Sequence, residues 1–266
     1  MNYIELFGIP TSGKNFIKNQ FINNLKKKNC KVLDPKIIII NFFLKNFRAS
    51  FSKKVRLFIL IIINSTSLFK IKSSFKRKGI IVKKNNRIHF SHPKKEFYHK
   101  LIDKLNLDDE YFQTLLVLKK RLKIKRKYHL YNLIEKEINM LKQTQNFKST
   151  YKRWFLENII LIDILKKNKD TYCVNDEGIV HKIFIIFSIK KKKLFVKQAI
   201  NFVENHQNLY MIKSNLKKLK KRFKLRKEAN NGFIYEDYQQ IIQEQTNFMD
   251  FEKLISKKLN YKIITN

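Results

Sequence analysis

An α/β fold on a five-stranded parallel sheet, with flanking helices and a large helical insertion, is predicted by three observations. The chain opens with an apolar strand, a glycine-bearing turn, an amphipathic helix and a second strand, all within its first 34 residues. Such a βαβ opening implies parallel pairing, because a crossover helix returns the chain to run the same way. The same rhythm of short apolar runs and helical patterns returns after residue 170. Between the two lies a stretch whose apolar periodicity is almost entirely helical. The expected organisation is therefore an α/β core from 1–34 and 170–266, with a mainly helical insertion at 35–169 that caps one side of it.

Each element has its own signal. Tyr3–Gly8 is a short run of the buried-strand type, and in Asn15–Lys28 Phe16, Ile17, Phe21, Ile22 and Leu25 share one helical face. Cys30–Asp34 reads as the second strand, ended by Pro35. In the insertion, Lys94–Leu105, Glu110–Ile124, Tyr128–Leu141 and Tyr151–Leu165 are amphipathic, and only Gly79–His89 looks extended. Thr171–Asn175 is then a strand, Phe195–Asn205 helical and Asn208–Lys213 a strand. The basic segment Leu216–Lys227 precedes a polar turn at 230–232. Tyr235–Leu259 is a helix and Tyr261–Ile264 a final strand. The predicted sheet has Tyr3–Gly8 at its centre, with Thr171–Asn175 and Asn208–Lys213 on either side. Cys30–Asp34 and Tyr261–Ile264 lie at the edges.

The turn after the first strand carries the chemistry. Gly8-Ile9-Pro10-Thr11-Ser12-Gly13-Lys14 has the spacing of a phosphate-cradling loop: Gly, four residues, then Gly-Lys. With only 5 glycines in 266 residues, about 0.02 matches to that spacing would arise by chance. Glycines let successive N–H groups turn toward one anion, the following helix adds its positive dipole end, and lysine reaches the outer phosphates. Gly8, Pro10, Thr11, Ser12, Gly13, Lys14 and Asn15 are thus candidate nucleotide-binding residues. Asn15 stands where a serine or threonine hydroxyl normally meets magnesium, and its carbonyl fits that ion's strict octahedral shell less well. A strand-to-helix turn with an incidental lysine is the plainer alternative.

Net charge is +37, which raises nucleic acid or an anionic membrane as partners. Arginine supplies only 9 of the 58 basic residues, while Lys, Asn, Ile and Phe abound and Gly, Ala and Pro are scarce. AT-rich codon usage produces that profile whatever the function, and nucleic-acid surfaces favour arginine. Weak, non-specific polyanion binding is the expectation. Cys30 and Cys173 form no metal or redox pair and read as buried thiols in a reducing compartment. His89 and His92 lack further ligands nearby. Ile37–Leu44 and Leu57–Ile63 are too short to span a bilayer. With no signal-peptide pattern, the cytoplasm is the expected location.

The order of these parts resembles the nucleoside and nucleotide kinases of the P-loop class, adenylate and thymidylate kinases among them. The resemblance rests on Gly8–Lys14, on the strand entering Asp176-Glu177-Gly178, on Leu209–Ile212 followed by Arg222 and Arg226, and on the last strand. The chain is most similar to uncharacterised bacterial P-loop proteins with Asp-Glu-Gly after the third strand and Arg-Trp before it, here Arg153-Trp154. The resemblance covers both ends of the chain.

The resemblance implies ATP or another nucleoside triphosphate, with Mg2+, as cofactors and a small anionic or hydroxylated acceptor as substrate. Lys14 would hold the outer phosphates. Asp176 would orient magnesium together with Asn15, or accept a substrate proton. Arg222 and Arg226 would close as lid arginines, and Asp34, Arg153 and Glu177 would face the acceptor. Each has a structural alternative: Asp176 and Glu177 as helix caps, Arg222 and Arg226 as a solvated helix face, Asp34 as a turn residue, His181 as a core residue. Three functions stay open: an ATP-dependent small-molecule kinase, as the resemblance implies, a catalytically impaired nucleotide binder, as Asn15 suggests, and a basic nucleic-acid-binding protein, as the charge suggests.

Overall fold

In a computed structural model of the chain, the residues described are 2–9, 12–74, 80–84, 87–91, 102–122, 125–168, 170–201, 203, 208–228 and 238–266. Five strands form one parallel sheet: β1 (Tyr3–Phe7), β2 (Lys31–Val32), β5 (Thr171–Asn175), β6 (Asn208–Lys213) and β7 (Lys262–Thr265), in the order β2-β5-β1-β6-β7. That is the order predicted. β2 is shorter than expected, because Asp34 and Pro35 begin a helix rather than merely ending a strand. The extended stretch in the insertion is an antiparallel hairpin of β3 (Ile80–Lys84) and β4 (Arg87–Ser91).

β1 is buried along its whole length, as a central parallel strand covered on both faces should be. Its side chains alternate. Ile4 and Leu6 join Ile17, Val174 and Ile212 on one face, where α1 (Lys14–Lys27) lies with Phe21, Ile22 and Leu25. Tyr3 and Phe7 face a much larger cluster on the other side. That cluster includes α7 (Ile179–Lys190), α8 (Lys193–Ile200) and α10 (Tyr238–Ile255), with Phe184, Phe248 and Phe251 in mutual ring contact.

The same cluster takes in the helices between the halves of the sheet: α2 (Pro35–Asn46), α3 (Phe51–Ser74), α4 (Leu107–Arg121), α5 (Lys125–Asn139) and α6 (Gln145–Lys167). α2 starts where Asp34 caps it and Pro35 fits the first turn, and it is apolar nearly all round, so it is enclosed by α3 and α6. α4 carries Asp108, Asp109 and Glu110 in its first turn and Lys119, Lys120 and Arg121 in its last, complementing the helix dipole. The predicted helix at 94–105 lies mostly outside the described residues. Among the described residues no helix is long and apolar enough to cross a membrane.

Candidate functional site

The C-terminal ends of β2, β5, β1 and β6 come together, and the turn from β1 to α1 sits at their centre, where open parallel sheets build ligand sites. Lys14 is the first residue of α1, and its Nζ donates back to the Gly8 carbonyl at 2.7 Å and the Ile9 carbonyl at 3.5 Å. The ammonium thus closes the turn over the helix N-terminus. Gly8 (φ +154°) and Gly13 (φ +96°) adopt backbone that favours glycine. A Cβ on Gly8 would come 2.5 Å from the Ile212 carbonyl of β6, and one on Gly13 would collide with the Asn266 amide. The Ser12 hydroxyl is buried and finds no hydrogen-bond partner among the described residues. Pro10 and Thr11 lie outside the described residues.

Arg222, on α9 (Leu216–Glu228), reaches this turn. Its Nη1 donates to the Ser12 carbonyl at 2.9 Å and to Ser214 Oγ at 3.3 Å. Asn266 Nδ2 donates to the same carbonyl at 3.3 Å, while Ser214 Oγ donates to the Asn266 carbonyl at 2.9 Å. Arg222 therefore braces the loop from the side of β6 and β7. The side chain of Arg226 lies outside the described residues.

Asp176 follows β5 and receives the Lys18 ammonium at 2.7 Å. Burial alone would raise its pKa, but the Lys18 charge and hydrogen bond, helped by Lys14, hold it below the usual carboxylate value. Lys18 stands one helical turn after Lys14 on α1, so the two ammonium groups share a face. Asn15 is exposed in that first turn. Among the described residues no group of three or more potential metal ligands occurs. With Asp176 already neutralised by a lysine and Asn15 in place of a hydroxyl, the side chains present fit a magnesium ion poorly.

Asp34 caps α2 by accepting from the Lys36 amide at 2.9 Å. Burial raises its pKa against the pull of that bond and of Lys18 and Lys36. Beside it, on α6, is Glu157, which the sequence reading missed. Its pKa is pushed up to about 7, by burial first and by the Asp34 charge, against the opposing effect of Lys36 and Arg153. The Tyr111 hydroxyl, fully buried, belongs to the same group. Arg153 pairs with Asp108 at 3.6 Å and reaches the group through Glu157. Glu177 points elsewhere: its carboxylate is exposed and bonds Lys182 at 2.7 Å, and that ammonium lies 4.1 Å over the Trp154 ring.

The turn Asp176-Glu177-Gly178 has a structural cause of its own. Neither acid caps α7. The cap is Glu5, a carboxyl in the centre of β1 that accepts from the His181 amide at 3.1 Å and also meets the amides of Val180 and Ile179. A Cβ on Gly178 would collide with that carboxyl. Burial outweighs those bonds and pushes the pKa of Glu5 up to about 7. Tyr3, Asn158 and Asn175 hydrogen-bond one another beside it, Asn175 Nδ2 reaching Asn158 Oδ1 at 2.6 Å. His181 is buried, and burial with the charges of Lys14 and Lys182 keeps its imidazole neutral. Its Nδ1 finds no partner among the described residues.

Of the residues chosen from sequence, then, Gly8, Ser12, Gly13, Lys14 and Arg222 meet directly. Asp176 joins them through Lys18, and Asp34 and Arg153 form an adjacent group around Glu157. Cys173 is buried, as expected, whereas Cys30 is half-buried. No protein-family model, curated protein or solved structure matches the chain.

Proposed function

We propose that the chain binds a nucleoside triphosphate at Gly8–Lys14 and transfers its terminal phosphoryl group to a hydroxyl or phosphate on a small acceptor held near Asp34 and Glu157. The observation that carries this is Lys14 folded onto the Gly8 carbonyl at the start of α1, on the central strand of a parallel sheet. An ammonium held by its own loop can turn to an incoming phosphate without moving the backbone. Two glycines at positive φ and the first amides of α1 supply the rest of an anion cradle. Phosphoryl transfer asks mainly for position and charge neutralisation, and Lys14 and Lys18 provide positive charge there. Glu157, with its pKa near neutrality, is suited to take a proton from an acceptor hydroxyl.

The test is ATP affinity of wild type and Lys14→Ala by equilibrium dialysis. The substitution should remove most of the binding and leave the melting temperature of the free protein nearly unchanged. Equal affinity in the two proteins rejects the phosphate loop.

One observation favours a second reading, nucleotide binding with slow or absent transfer. Lys18 occupies Asp176, the carboxylate that would otherwise serve a metal. On that reading ATP affinity depends only weakly on magnesium, and Lys18→Met, which releases Asp176, increases the dependence. Strong magnesium dependence already present in wild type rejects it.

A further inference from the structure

Residues 57–63 of α3 are apolar on every side, yet unlike α2 this run is not enclosed. Leu57, Leu60 and Ile63 are buried against the core, yet the opposite side of the same helix is apolar too. Phe51 is 83% exposed, Val55 42%, Phe58 59% and Ile62 47%. Positions i, i+4, i+7 and i+11 fall on one line, so these four side chains form a continuous stripe facing solvent. Single exposed apolar residues are ordinary, but an aligned row with two phenylalanines marks a contact surface.

The charge of the segment that carries the stripe identifies the partner. Lys54 on the same helix is exposed, as are Lys45 near the end of α2 and Arg48 in the turn that leads into α3, while Lys53 and Arg56 turn to Glu110 on α4. Residues 35–95 contain 16 lysines and arginines and no aspartate or glutamate. At the chain's own frequency of 21 acidic residues in 266, about five would fall in a stretch of that length. Biased codon usage enriches lysine everywhere and does not remove acids from one segment alone. An apolar row on a segment rich in cations and without acids of its own suits a surface that is negative outside and apolar beneath. A second copy of a chain with charge +37 would bring like charges together, and nucleic acid can stack on Phe51 and Phe58 but offers no layer for Val55 and Ile62.

We propose that this edge of α3 docks on an anionic lipid surface. The helix lies along the membrane, with Phe51, Val55, Phe58 and Ile62 in the outer acyl layer and the flanking cations among the head groups. Neither part suffices alone, since stable peripheral attachment takes an apolar and an electrostatic contribution together. The inference is independent of nucleotide binding.

The experiment is co-sedimentation of the full chain with phosphatidylcholine vesicles, with and without phosphatidylglycerol. Strong binding is expected to the anionic vesicles and weak binding to the neutral ones, and raising salt should bring the first down toward the second. The double variant Phe51→Ser/Phe58→Ser should lower partitioning by about tenfold or more without lowering the melting temperature. Leu194→Ser, at a residue 61% exposed on α8, should leave it unchanged. The proposal fails if the double variant binds as wild type does, since charge alone would then explain attachment. It fails equally if no vesicle binds, or if Leu194→Ser weakens binding as much. It fails, too, if wild type is a dimer that the double variant dissociates, or if the double variant instead loses affinity for RNA.

Discussion

Glu5 shows how one side chain sets both the fold and its pH dependence. It stands between Ile4 and Leu6 in a strand with no exposed residue, and it is there because α7 needs a cap that Gly178 cannot supply. The folded state keeps a proton on this carboxyl up to about pH 7, while the unfolded chain releases it near 4.5. Stability from Glu5 is therefore greatest below pH 4.5 and falls as pH rises to 7, by about 3 kcal/mol in all. His181 acts the other way. It stays neutral when folded, so the unfolded chain gains a proton below its usual value of 6.5 and stability falls as pH drops. Wild type alone would show the two effects partly cancelled. Glu5→Gln isolates one of them: relative to wild type, its stability in urea should rise steadily from pH 4.5 to 7 and stay level above that. A constant difference across the window would mean that Glu5 is charged throughout.

At the scale of elements, the strands and their order were legible because each has a signature of its own: an apolar run, a bounding turn, and a helix or insertion between neighbours. The site was legible in part. Gly8, Gly13 and Lys14 announce themselves by spacing. Glu5 could have been noticed as an acid inside a buried run, and Lys18 as the residue one turn beyond Lys14. Glu157 and Tyr111 carry no local signal; only the packing of α6 and α4 beside α2 brings them to Asp34. Arg222 was found, but its partner was not foreseen, because a lid role and a brace on Ser12 ask for the same residue on the same helix. The brace makes a prediction about α9. With Arg222→Ala the Ser12 carbonyl keeps only Asn266 among the described residues, the loop loosens, and ATP affinity should fall several-fold at zero turnover, before any transition state is reached. A variant that binds ATP normally and is slowed only in transfer would instead return Arg222 to the lid role.

Across the whole molecule, the sheet is covered unevenly. α1 and its small cluster hold one face, and most of the helices share a single core on the other. The site lies at the sheet's end, where its cations are fixed by named partners: Lys14 by Gly8, Lys18 by Asp176, Arg222 by Ser12. Most of the +37 charge comes from lysines spread along the whole chain rather than from this site. Scattered lysines bind a polyanion by releasing its counterions and read no sequence. Binding to duplex DNA should accordingly be weak, indifferent to sequence and abolished by moderate salt, because every contact is a screened surface charge. Attachment to anionic vesicles should keep a salt-resistant remainder, because burial of the α3 stripe does not depend on ionic strength. Titrating salt against both targets in one buffer separates the two. A DNA complex that survives moderate salt or prefers one sequence would reassign the positive surface to nucleic-acid recognition. A vesicle complex that vanishes at the same salt as the DNA complex would show that the exposed phenylalanines take no part in attachment.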